Sequence, residues 1–175
     1  IITTNSYAIV PFHVGEDVFK ARASELLRLS GKLARASADD AGRRVRVAAS
    51  VPPMFGSYQP DKFDPQAAAD MMRLFRDALA DYTDLFLGET FGSVAEAELF
   101  LTEFKPTGRP VWLSVTLEDV GVKVGQSQLR SGEPLSDLLA LCRNQPPDAL
   151  LFNCSQPEVM EDAITAAHAS FIDNH

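Results

Sequence analysis

Cys154 follows Asn153 at the end of an apolar run, Ala149–Phe152, and a helix led by Pro157 comes next. At such a strand tip the following backbone N–H groups favour the thiolate, the form of a thiol that attacks carbon and binds metal. Cys154 reads as a metal-bound thiolate or a nucleophile; the alternative is a small buried residue, because free cysteines often serve as core filler. Glu89 closes a second apolar run, Asp84–Leu87, within Gly88-Glu89-Thr90. A carboxylate there could hold a substrate ammonium or act as a base, or only face the dipole of the next helix. Cys142 shares an apolar helical face with Leu135, Leu138 and Leu139 and is expected in the core. His13, His168 and His175 are scattered, without HxH or HExxH spacing, so no histidine metal site is expected. No GxGxxG or Walker loop supports nucleotide binding.

These residues must be positioned by the elements between them. Ile1–Tyr7 is a β-rich start. Val18, Phe19, Ala23, Leu26, Leu27, Ser30, Leu33 and Ala34 recur at helical spacing, and Gly42 closes that helix. Val45–Val51 alternates as a short strand, followed by a Pro/Gly loop. Asp64-Pro65 is a cap followed by a first-turn proline. Ser93-Val94-Ala95-Glu96 is a capping box. Pro110–Leu117 is the clearest strand, and Leu135–Cys142 the next helix face. The rhythm is βα repeated about five times, which means either a doubly wound sheet or a barrel. Periodicity does not separate them. In either, the C-terminal strand ends carry function. Here those ends read Thr4-Asn5-Ser6-Tyr7, Ser50, Glu89-Thr90, Ser114-Val115-Thr116 and Asn153-Cys154. Buried polar groups at strand tips are costly unless they meet a ligand, a metal or each other.

Composition narrows the partners. The net charge of −8 disfavours nucleic acid and anionic lipid. No run approaches the ~20 apolar residues of a membrane span, and no signal-peptide pattern opens the chain. Only two cysteines among 175 residues argue against a disulfide framework and for a reducing cytoplasm.

Thr3-Thr4-Asn5-Ser6-Tyr7, Leu87-Gly88-Glu89-Thr90 with Ser93–Ala97, Pro110–Ser114, Ser131–Leu135 and Leu151-Phe152-Asn153-Cys154 together resemble, in order and spacing, the strand motifs of the homocysteine S-methyltransferases. The resemblance implies a parallel (β/α)8 TIM-type barrel, with roughly five of its eight units in this chain. It implies zinc held by three cysteines, with Cys154 as the first ligand. It makes Glu89 the anchor of the homocysteine ammonium, sets Asn153 beside the metal, and lines the pocket with Thr4, Asn5 and Ser114. The partners it implies are homocysteine and an activated methyl donor of S-methylmethionine, S-adenosylmethionine or betaine type.

The family's adjacent Cys-Cys pair, and its first, seventh and eighth strands, have no counterpart in residues 1–175. One barrel domain truncated at both ends is therefore expected. Alone, this stretch is expected to bind zinc poorly, to be inactive, and to pair with a second copy through open sheet edges. The rival readings are a barrel lyase or aldolase using Glu89 as acid/base, and a non-catalytic thiol-binding module.

Overall fold

The computed structural model describes residues 1–121 and 125–172. Five strands, β1 (Ile2–Thr3), β2 (Val47–Val51), β3 (Leu85–Phe91), β4 (Val111–Val115) and β5 (Ala149–Phe152), form one parallel sheet in chain order. Between them run α1 (Pro11–Val14), α2 (Glu16–Asp39), α3 (Pro65–Leu79), α4 (Val94–Phe104) and α5 (Leu135–Asn144); α6 (Pro157–Ile172) follows β5. From α2 to α6 each helix packs against the next along the sheet. A doubly wound sheet reverses its strand order at a switch point. No such reversal occurs among the described strands.

Alternation along each strand explains the one-sided helix layer. Ala49, Val51, Phe86, Val111, Leu113 and Val115 join helix residues Leu27, Phe75, Phe100, Leu138 and Ala163 in a single buried core. The intervening residues, Ser50, Leu87, Glu89, Trp112, Ser114 and Leu151, point to the other face, where Leu151 is 37% exposed. Cys142 is fully buried in the core, as its helical spacing implied.

Local chemistry starts and stops these elements. Asp64 accepts hydrogen bonds from Gln66 and Ala67 N–H, capping α3 ahead of Pro65. Ser93 Oγ caps Glu96 N–H at the start of α4. In return Glu96 Oε2 accepts from Gly92 N–H at 2.8 Å and from Ser93 Oγ at 3.1 Å, with the Ser93 N–H also facing the carboxylate. Two aspartates just ahead of strands do matching work. Asp84 and Asp148 each accept from the first N–H of the neighbouring strand, Val47 and Val111, both at 2.7 Å. These bonds fix where adjacent strands begin, and so level the strand ends at the opposite edge.

The strand around Glu89 is longer than the sequence implied. β3 continues through Phe91 after a bulge between Gly88 and Phe91, because Phe91 C=O still accepts from Thr116 N–H. Gly88 is required for packing. A Cβ there would lie 2.5 Å from the Phe91 ring and 2.9 Å from the Phe100 ring, both buried. Gly88→Ala is therefore expected to destabilise the fold by about 1–3 kcal/mol through overpacking, read as a lower denaturant midpoint at unchanged m-value.

Candidate functional site

The C-terminal strand ends converge on one edge of the sheet, and most of their polar groups satisfy each other. At the β1–β2 side, Thr4 Oγ1 accepts from Ser50 N–H at 3.0 Å and shares a 2.7 Å hydrogen bond with Ser6, whose hydroxyl donates to Ser50 C=O. Thr4 and Ser6 are buried, and their hydroxyls latch β1 to β2. Asn5 between them is exposed. Tyr7 reaches across to share a 2.6 Å bond with Ser57 Oγ.

At the β3–β5 side, Asn153 is the hub. Its Oδ1 accepts from Ser114 Oγ at 2.9 Å, and its Nδ2 donates to Thr90 Oγ1 at 2.8 Å and to Cys154 Sγ at 3.3 Å. Thr90 Oγ1 in turn donates to Cys154 Sγ at 3.8 Å. The sulfur is thus met by two side-chain donors while Cys154 itself stays exposed. Thr116 and Ser155 secure the backbone beneath: Thr116 Oγ1 donates to Cys154 C=O, and Leu117 N–H donates to Ser155 Oγ.

Glu89 lies between these two sides, half-buried. Burial raises its carboxyl pKa, and the nearby Ser50 hydroxyl offsets part of that rise. Ser50 Oγ is itself buried and, among the described residues, has no partner at hydrogen-bonding distance. Among the described residues no cation lies against this half-buried carboxylate, which makes it a ready partner for a ligand ammonium.

Two loops that the sequence reading did not single out complete this edge. Tyr58, in the loop after β2, has its ring 5.1 Å from the Arg130 guanidinium. Arg130 pairs with Asp119 at 2.9 Å and Glu118 at 3.6 Å. Asp119 also accepts from Gln156 N–H, joining the loop after β4 to the one after β5. Burial raises the Tyr58 hydroxyl pKa, and the neighbouring Cys154 adds to the rise. An aromatic residue after Gly56-Ser57 in a Pro/Gly loop was the available signal, but nothing local pairs it with Arg130.

Other candidates stand apart. His13 is exposed and packs edge-on against Phe12, His168 is exposed on α6, and His175 lies outside the described residues. A groove of about 580 Å³ is lined on the helix side by residues such as Leu135, Leu139 and Asp162 and shares no residue with this cluster. Among the described residues, no three His, Cys, Asp or Glu side chains come together as a metal site, and no helix is long and apolar enough to cross a membrane. A catalytic zinc takes about three protein ligands. Cys154 suits one of them, and the described residues alone do not complete the set.

A sequence model of the homocysteine S-methyltransferase family matches residues 1–174. Among solved structures, the chain is similar to the metallated form of the homocysteine methyltransferase MmuM from Escherichia coli, at 27% identity and a TM-score of 0.78. That match covers 95% of this chain and 62% of the E. coli chain. No curated protein matches the sequence.

Proposed function

The chain belongs to the homocysteine S-methyltransferase family, and on that premise we propose that its strand-end edge binds homocysteine and passes it a methyl group from an activated donor, giving methionine. The observation that carries this reading is the pairing, at one sheet edge, of a sulfur held by side-chain donors with an unpaired half-buried carboxylate. Homocysteine offers the matching groups, a thiol and an ammonium. Glu89 takes the ammonium. Asn153, Ser114 and Thr4 build the wall beside it, with Asn5 at the rim. Cys154 is one ligand of a zinc whose remaining ligands come from outside the described residues; E. coli MmuM, of which this chain spans 62%, was solved in a metallated form. When bound, zinc keeps a thiol deprotonated near neutral pH, which supplies the nucleophile.

The chain's residues then supply orientation. With the ammonium fixed at Glu89, the substrate sulfur is turned toward Cys154 at the sheet edge. Attack in line on the donor's methyl carbon forms the new S–CH3 bond as the old S–CH3 or N–CH3 bond breaks. The donor leaves as a neutral thioether or amine, and the thiol proton goes to solvent. Holding the reactants in line supplies much of the acceleration. We also propose that the five strands are part of a (β/α)8 barrel, supported by their sequential order and one-sided helices, and that both cysteines stay reduced in the cytoplasm.

The test is methionine formation by the intact protein from homocysteine with S-methylmethionine, S-adenosylmethionine and betaine in turn. Methionine from at least one donor is the expected result. Homocysteine binding without methionine from any of them would move the protein to the thiol-binding module reading.

A further inference from the structure

Three non-glycine residues of the described chain have left-handed backbone: Tyr58 at φ 62°, Thr90 at φ 65° and Cys154 at φ 53°. They come from three different loops or strand ends, yet the Thr90 hydroxyl meets the Cys154 sulfur, and Tyr58 is near enough for Cys154 to raise its hydroxyl pKa. Left-handed backbone is unfavourable for any side chain and most of all for a β-branched one, so Thr90 is the most strained of the three. Such strain persists only where its surroundings over-determine it, and it gathers at functional sites. For Thr90 the surroundings are visible. The β3 bulge lies between Gly88 and Phe91, the residue is buried, and its hydroxyl is fixed from both sides. Asn153 Nδ2 donates to Oγ1, which leaves the hydroxyl proton free to point at Cys154 Sγ. Ser114 fixes the Asn153 amide in turn.

We propose that Thr90 is a positioning residue: its strained backbone aims the hydroxyl at Cys154 Sγ, at the end of a Ser114–Asn153–Thr90 chain, and so sets the direction in which that sulfur meets its ligand. This deepens the functional reading above and rests on it for its meaning, though the contact itself does not depend on which ligand the sulfur meets. A plain β-strand would turn residue 90 without regard to Cys154; the bulge and the left-handed turn are what bring the two together. The hydroxyl, rather than the bulk of threonine, does the positioning.

The experiment separates hydroxyl from shape with Thr90→Val, which keeps the branch, and Thr90→Ser, which keeps the hydroxyl. The first readout is the alkylation rate of Cys154 by iodoacetamide in the reduced, chelator-treated protein, followed by mass spectrometry; Cys142 is buried and serves as the internal control. Thr90→Val is expected to slow Cys154 alkylation about fivefold, the scale of one neutral hydrogen bond, and Thr90→Ser to restore it within about twofold. If Thr90→Val does not fold, Thr90→Gly takes its place, because glycine accepts the left-handed turn without strain and also lacks the hydroxyl. In the zinc-loaded intact protein, the Val variant is expected to lose about 10- to 100-fold in methyl transfer, as supporting partners of metal ligands do, with Ser again restoring it. An unchanged alkylation rate in Thr90→Val, or in its Gly replacement, would overturn the proposal. Should alkylation follow the hydroxyl while the unmutated protein makes no methionine, the positioning role stands and the functional reading falls.

Discussion

Cys154→Ser is expected to lower methyl transfer to homocysteine by about 10³-fold or more. A metal that holds the substrate as thiolate contributes several kcal/mol, and each 1.4 kcal/mol is about tenfold. Serine keeps the size and polarity of the residue, but its hydroxyl stays protonated near neutral pH and is a poor zinc ligand. The loss should be confined to activity. Cys154 is exposed, and the bonds beneath it run through its own C=O and through Ser155, which the substitution leaves in place. Compared as zinc-free, chelator-treated proteins, the parent and the variant should therefore have melting temperatures within about 2 °C of each other, a shift worth about 0.5–1 kcal/mol in a domain of this size. A large fall in stability alongside the loss of rate would mean that the residue serves the fold.

Glu89→Gln is expected to raise the KM for homocysteine by about 10- to 150-fold with a smaller effect on kcat, since a hydrogen bond to a charged group is worth about 1.5–3 kcal/mol. Glutamine fills the same space but cannot neutralise an ammonium. The pH dependence carries a sign that checks the assignment. Burial holds the Glu89 carboxyl above the ordinary carboxylate range. On acidification it takes up a proton earlier than an exposed glutamate, and homocysteine KM should start to rise at correspondingly higher pH. The Gln variant should not show that rise. Stability runs the other way. A carboxyl with a folded-state pKa above its unfolded value stabilises the fold at low pH, and this contribution is lost as pH rises through the folded pKa. The unliganded Gln variant should therefore match or exceed the parent in stability at neutral pH. An anchor that weakens its own empty fold is the usual trade at a binding site.

The strand ends were readable in the sequence because they depend on local pattern. Apolar runs stop at Glu89 and at Asn153-Cys154, and parallel βα units bring such stops to one edge. The Asp64-Pro65 start of α3 and the burial of Cys142 were legible for the same reason. What escaped depends on contacts between residues far apart in the chain. The bulge at Thr90 follows from how β3 meets β4, and no local signal marks a threonine for a left-handed turn. The Tyr58–Arg130 stack joins residues 72 positions apart. The capping box shows the limit on a smaller scale. Its residues were identified, but not the additional bond that Glu96 accepts from Gly92 N–H. Thr4 shows it too: a residue expected to line a pocket has its hydroxyl tied to Ser6 and to the Ser50 N–H.

The most direct test of the thiol site is the zinc content of the intact protein, purified under reducing conditions without chelator, beside Cys154→Ser and Cys142→Ala. The account predicts about one zinc per chain in the parent and in Cys142→Ala, as a single catalytic site requires, and its loss in Cys154→Ser. Equal zinc in Cys154→Ser and the parent, or none in the parent, would contradict it.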